Sequence, residues 1–185
     1  MKTRLASALG SFLAVCSFAS AQVLYGGTGH YYELVVSQNL SWTNSNVGAV
    51  ARTFNGWNGH LATLTSQGEN DFVNTLIGVG PVWIGGFQAP GSSEPAGGWG
   101  WITGEAWSYS NWGPGEPNNE GGPFGNEDKL AFGSVTPLYS GWGDLPDNGG
   151  YAVMRGFVVE YEPVPEPTIA ISLAMGVGLV VLRRK

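Results

Sequence analysis

The only cysteine of the chain, Cys16, stands inside its first apolar run, so no disulfide can close anything that folds downstream of it. That run is itself expected to be removed. Lys2 and Arg4 give a positive start, residues 5–18 are mostly apolar, and Ala19-Ser20-Ala21 has the small-x-small pattern of a signal peptidase site. Val15 is bulky where a lipoprotein signal ending on Cys16 wants a small residue. The segment 1–21 therefore reads as a signal peptide and the mature chain as one beginning at Gln22. Export places the domain where disulfides are the usual staple of small folds, yet it has no thiol for a staple or for chemistry. Hydrophobic burial has to carry its stability. All eight Trp lie beyond Gln22, and large aromatic rings bury about 150–250 Å² each.

The other end carries Pro165-Glu166-Pro167, an apolar run over 169–182 and then Arg183-Arg184-Lys185. The run falls short of the roughly 20 apolar residues of a stable spanning helix, and its positive end suits the cytoplasmic side. This tail, 165–185, resembles a PEP-CTERM sorting signal. The resemblance implies a bacterial protein that is exported, held briefly in the membrane by the apolar helix, and cut near Pro-Glu-Pro by an exosortase. The expected destination is the cell surface, the extracellular matrix or the medium.

Residues 22–164 remain, enough for one domain with a real core. Arg52, Lys129 and Arg155 are its only basic residues, against fourteen acidic ones as far as Glu166, a net of −11. Nucleic acid is excluded as a partner, because phosphate binding needs clustered Lys or Arg. Acidic loops rich in Gly, Asn and Asp suit a hard cation such as calcium.

Two helices and several short strands are expected. Tyr31–Val36 reads as a strand. Val47, Val50, Ala51 and Phe54 form a helical stripe ending near Gly56. Ser66 and Glu69 make a capping box for a second helix with Phe72, Val73, Leu76 and Ile77 buried and Gly78 at its end. Short apolar or aromatic runs at 82–84, 99–102, 130–132 and 157–161 read as strands of an antiparallel core. The stretch before the last strand is long and poor in regular structure, as loops that carry function often are.

Four landmarks then stand in order: Gly59-His60-Leu61-Ala62-Thr63-Leu64 leading to Glu69 and Phe72; Trp83-Ile84-Gly85-Gly86; Asn111-Trp112 followed by Glu116-Pro117-Asn118; and Glu127-Asp128 followed by Trp142-Gly143-Asp144. In this order they resemble the C-type lectin-like domain over about residues 29–161. The resemblance implies an α+β double-loop fold with two helices, short antiparallel strands and a long ligand-binding loop. It also implies that Tyr31–Val36 pairs with 157–161. Lys129 and Val159 occupy positions where many members of that family carry cysteines, so the domain is expected to have no disulfides.

Calcium takes six to eight oxygen ligands. Glu116 and Asn118 offer two, and a cis bond before Pro117 would turn both toward one ion. By resemblance, Glu127 adds a third and Asp144 binds through side chain and backbone carbonyl, while the same four residues hold vicinal hydroxyls of a mannose-type or glucose-type sugar. Gly143 stands where sugar-binding members have Asn, which removes an amide oxygen for calcium and an N–H for the sugar. Asn126, Asp147 or Asn148 are the neighbours able to substitute. An auxiliary calcium site would use Asn119, Glu120, Glu127 and Asp128, which also read as a solvated acidic loop. His30 and His60 read as structural. Trp83, Trp101 and Trp142 read as core, and Trp99 or Trp107 as candidate sugar platforms.

The expected function is calcium-dependent binding of carbohydrate or extracellular polysaccharide. The alternative is a lectin-like module without sugar affinity that binds protein or serves as a structural surface. Catalysis is not expected: a glycosidase pair such as Glu116 and Glu127 is the best enzymatic candidate, and carboxylates grouped with Asn look like cation ligands.

Overall fold

The computed structural model describes residues 20–133 and 141–163. The signal peptide up to residue 19 and the tail 165–185 lie outside the described residues. Among the described residues no helix is long and apolar enough to cross a membrane.

In chain order the elements are β1 (Gln22–Leu24), β2 (Tyr31–Val36), α1 (Trp42–Val50), β3 (Thr53–Phe54), β4 (Trp57–Leu61), α2 (Gln67–Ile77), β5 (Val82–Gln88), β6 (Trp99–Trp101), a 3-10 turn (Gly122–Phe124), β7 (Lys129–Phe132), β8 (Trp142–Leu145) and β9 (Gly156–Tyr161). β9 is the spine of the molecule. It pairs antiparallel with β2 from Tyr31↔Tyr161 to Val36↔Gly156, as expected, and on its other edge with β4. All six of its residues are buried, including Glu160. β5 then continues the sheet beside β9 and is followed by β7 and β8, with β6 paired to β5. The β5–β9 pairing, Val82↔Gly156 and Trp83↔Phe157, runs parallel, so the sheet is mixed rather than wholly antiparallel.

α2 forms where Ser66 and Glu69 predict it. Ser66 Oγ accepts the Glu69 N–H at 3.3 Å, while Glu69 Oε2 reaches back one residue further than a reciprocal box, accepting from Thr65 N and Oγ1, each at 2.8 Å. Val73 and Ile77 are buried and Phe72 and Leu76 partly so, against the Tyr32 side of the sheet.

α1 corrects the stripe read from the sequence. It starts earlier, on a Ser41 cap, and ends at Val50. Val47 and Val50 are 64% and 58% exposed, whereas Trp42, Ser45 and Ala49 face the sheet. Phe54 belongs to the β3–β4 hairpin. The reason is close packing: a Cβ on Gly59 of β4 would lie 2.8 Å from the Ala49 carbonyl oxygen and 2.6 Å from Val159 Cγ1. Only small residues fit where helix and sheet approach this closely, so the larger valines are left outside.

Two apolar clusters fill the two sides of the sheet. One of them gathers Trp99, Trp101, Trp107, Trp112 and Trp142 beneath the long loop, with ring centroids as close as 4.7 Å for Trp101–Trp107 and 5.5 Å for Trp101–Trp142. No disulfide is available, and these rings take the place of one in holding the loop to the core.

Candidate cation and ligand site on the long loop

The loop between β6 and β7 is tied down before it reaches its acidic residues. Trp142 N–H donates to the Asn111 carbonyl at 2.7 Å, and Gly113 N–H donates to the Trp142 carbonyl at 2.8 Å, so the chain at 111–113 runs alongside β8. A Cβ on Gly141 would come within 2.6 Å of Gly113 Cα, so glycine is needed at 141 for this approach. From below, Asn70 of α2, 2% exposed, accepts the Trp142 indole N–H at 2.9 Å and the Asn111 amide at 3.3 Å. Sequence reading passed over Asn70, which looks like any polar residue of a helix.

This docking delivers Glu116-Pro117-Asn118 to Asp144 of β8. The Glu116–Pro117 bond is cis, the isomer that would turn both neighbouring side chains toward one ion, and so is Glu94–Pro95. Asp144 is 2% exposed, and its two carboxylate oxygens accept the N–H groups of Asn118 and Asn119, each at 2.9 Å. The Asn118 amide donates to Glu116 Oε2 at 3.0 Å and its oxygen accepts the Glu120 N–H at 2.7 Å. That N–H is shared with Glu127 Oε2, also at 2.7 Å, and Glu127 N–H returns to Asn119 Oδ1 at 2.9 Å. Glu116, Asn118, Glu127 and Asp144 are thus joined in one network.

The network is short of positive charge. Among the described residues none of its carboxylates has a Lys or Arg partner. Burial, followed by a hydrogen-bonded contact with Asp144 and the charges of Asp144, Glu127 and Glu120, pushes the Glu116 carboxyl up to about 8. Burial and then the charge of Asp144 also raise Glu127, against the Glu120 N–H that lowers it. Crowded carboxylates of this kind keep a proton or take a cation. The donor set fits calcium in kind, since carboxylate and amide oxygens are its ligands and each oxygen already holding an N–H keeps a second lone pair. It is not drawn tight: among the described residues, the only trio of His or acidic groups found with ligand atoms within 4.8 Å of one another lies elsewhere, at His30, Glu160 and Glu162. Glu127 would have to close on the Glu116–Asp144 pair.

The auxiliary group comes together only in part. Asn119 and Glu120 belong to the same network, but Asp128 sits 3.1 Å from Lys129 Nζ, which also lies over the Trp42 ring. Asp147 does not replace the missing amide of Gly143, because its Oδ1 accepts Thr43 N–H at 2.9 Å and Thr43 Oγ1 at 2.7 Å at the start of α1. Asn148 accepts the Gly150 N–H.

Trp83, Trp101 and Trp142 are core, as read, but Trp99 is not a platform: it is 8% exposed and, with Trp107, lies in the tryptophan cluster. The exposed rings beside the acidic network are instead Phe124 and Tyr151, 37% and 79% exposed, packed edge to face at 4.6 Å. They border a cleft of about 90 Å³ that Glu120 and Glu127 also line. Their only sequence signal was an aromatic residue set among glycines, at Pro123-Phe124-Gly125 and Gly150-Tyr151.

Comparisons with known proteins agree on the fold. No family model matches the chain. Halomucin of Haloquadratum walsbyi is 35% identical over 141 residues, covering 69% of this chain, which spans only 1% of that much longer protein. The mouse scavenger receptor C-type lectin carbohydrate-recognition domain superposes with a TM-score of 0.59 at 21% identity, over 77% of this chain and 96% of that one. The cow C-type carbohydrate-recognition domain of CD23 gives 0.58 at 22% identity, over 73% and 89%. The chain is a C-type lectin-like domain in fold. Its paired terminal strands, two helices and long loop are those of that fold, built without a disulfide.

Proposed function

We propose that the chain is an exported, calcium-dependent carbohydrate-binding module rather than an enzyme. The observation that carries this reading is the acidic network of half-buried Glu116 and Asn118 with buried Glu127 and Asp144, which among the described residues has no Lys or Arg partner and sits where the long loop docks on β8 over the tryptophan cluster. Calcium, when bound, supplies the positive charge that this network lacks and free coordination positions for sugar hydroxyls. The protein's own residues place the carboxylates, and the Phe124–Tyr151 edge offers an apolar wall for a sugar ring next to them. The cow CD23 domain was examined with a GlcNAc2Man3 oligosaccharide, and mannose-type or glucose-type sugars, free or in an extracellular polysaccharide, are the ligands proposed here. The tail is proposed to be cut by an exosortase after export, and the intact mass of the exported protein tests this.

A second reading is favoured by Gly143 and by the engagement of both Asp144 oxygens: a lectin-like module that keeps calcium and binds no sugar. Melting with and without calcium, followed by a glycan array with and without chelator, separates the two. A calcium-raised melting temperature with chelator-sensitive glycan binding supports the first, and the same rise with no glycan signal supports the second. Saturation at about one hundred times Kd should add roughly 2.7 kcal/mol, and Asp144→Ala should abolish the gain. An unchanged calcium shift in that variant would remove Asp144 from the ligand set, and turnover of an aryl glycoside would overturn the non-enzymatic reading.

A further inference from the structure

A second cluster of ligating side chains shares no residue with the loop site. In register, Tyr32 on β2 lies opposite Glu160 on β9, which lies opposite His60 on β4. Side chains alternate along strands, so His30, two residues before Tyr32, and Glu162, two after Glu160, project to the same face. Three strands thus bring two imidazoles and two carboxylates together. One ligand atom from each of His30, Glu160 and Glu162 lies within 4.8 Å of the other two.

The ring nitrogens are set for coordination. His60 Nδ1 is 2.9 Å from the Leu61 carbonyl oxygen, which can only accept, so this nitrogen carries the proton and Nε2 carries the lone pair. That lone pair is buried, has no hydrogen-bond partner and faces Glu162 Oε1 at 3.4 Å. A cation held between them, a second proton on Nε2 or a metal ion, relieves that contact. His30 Nδ1 lies 2.7 Å from Glu160 Oε1, and Glu160 is further held by the Tyr32 hydroxyl at 2.7 Å and by Thr63 N–H at 2.8 Å. Each imidazole therefore has one nitrogen fixed by a carboxylate or carbonyl, the outer-shell arrangement that orients histidine toward a metal. His30, His60 and Glu162 side chains are 21%, 20% and 41% exposed, which leaves an entry for an ion.

We propose that the cluster of His30, Glu160 and Glu162, with His60 Nε2 beside Glu162, holds a divalent transition metal of the zinc class. Imidazole nitrogen among the donors selects zinc over calcium, which prefers an all-oxygen shell.

The test is zinc binding by the untagged full chain in calcium-free buffer, measured by competition with a chromophoric chelator and by melting. One zinc per chain that raises the melting temperature is expected. Glu162→Gln, on the half-exposed rim, should weaken zinc by more than the roughly 10- to 100-fold typical of an outer-shell partner, and His30→Ala should do so at least as much. Both should keep the calcium-induced shift, and Asp144→Ala should keep zinc binding, so failure of this site and failure of the loop site are read separately. Cobalt in place of zinc should give the intense visible bands of a four-coordinate nitrogen and oxygen site. No zinc uptake by the wild-type chain, or equal uptake by Glu162→Gln, would overturn the proposal.

Discussion

Glu33, Glu69 and Glu160 in the strand-and-helix half are as buried as Asp144 of β8 at the long-loop site, each at 1–2% exposure, yet the two regions treat their acids differently. In the first region every buried carboxylate meets donors made for it. Glu33 has Arg52 Nη1 at 2.7 Å and the Tyr161 hydroxyl; Glu69 has Thr65 and Ser66; Glu160 has Tyr32, Thr63 and His30. At the loop site, Asp144 is satisfied by backbone N–H groups, but half-buried Glu116 has one neutral amide and a second carboxyl beside it. Burial by itself therefore does not mark a site. What marks it is burial with an acid left over once the donors have been counted.

The comparison can be tested from its largest effect downward. Trp142→Ala, in the centre of the tryptophan cluster, should cost about 3–5 kcal/mol in urea unfolding and abolish the calcium shift as well, because the loop loses its seat. A loss below that of a surface substitution would mean that the loop is held by something else. The same acid-to-amide change should act differently in the two regions. Glu33→Gln weakens the bond to Arg52 and should cost about 1–3 kcal/mol, whereas Glu116→Gln in calcium-free buffer should be neutral or stabilising, since it removes a repulsion. Equal costs would erase the distinction drawn here.

The pH dependence is smaller and has a definite sign. Glu116 is raised from 4.5 to about 8, chiefly by burial and then by Asp144, so the calcium-free fold holds its proton more tightly than the unfolded chain. Its contribution is full below the unfolded value and is lost as pH rises through about 8. Calcium binds the deprotonated carboxylates, so its stabilisation should grow over the same interval. His30, held above its ordinary value mainly by its hydrogen bond to Glu160, acts in the same direction. The difference between wild type and Glu116→Gln isolates the loop. A difference that does not vary with pH would place Glu116 outside the pair. Last, Tyr151→Ala should leave stability within about 0.5 kcal/mol while weakening glycan binding, and unchanged glycan binding would remove the Phe124–Tyr151 edge from the ligand surface.

Much of this was legible in residue order. Ser66 and Glu69 announced α2 because capping is local chemistry, satisfied within four residues. Tyr31–Val36 and the last strand were visible as apolar runs, and the four site residues could be named by resemblance from Glu-Pro-Asn and from Trp-Gly-Asp. The face of α1 was not legible, because Val47 and Val50 make a better stripe than Trp42, Ser45 and Ala49. Only the close approach of β4 reverses the choice. The partners of His30 were hidden for a related reason, since Glu160 is 130 residues away in the chain.

The sequence by itself determined that no disulfide would hold this domain, that aromatic burial would have to do so, and which oxygen-bearing residues the long loop would present. Composition and local patterns carry that information. Tertiary structure decided which carboxylates are left without a donor, that Asp128 and Asp147 turn to other partners, and that two histidines and two glutamates meet across three strands. Those outcomes depend on strand register and on distances between residues far apart in the chain, and no local pattern encodes them.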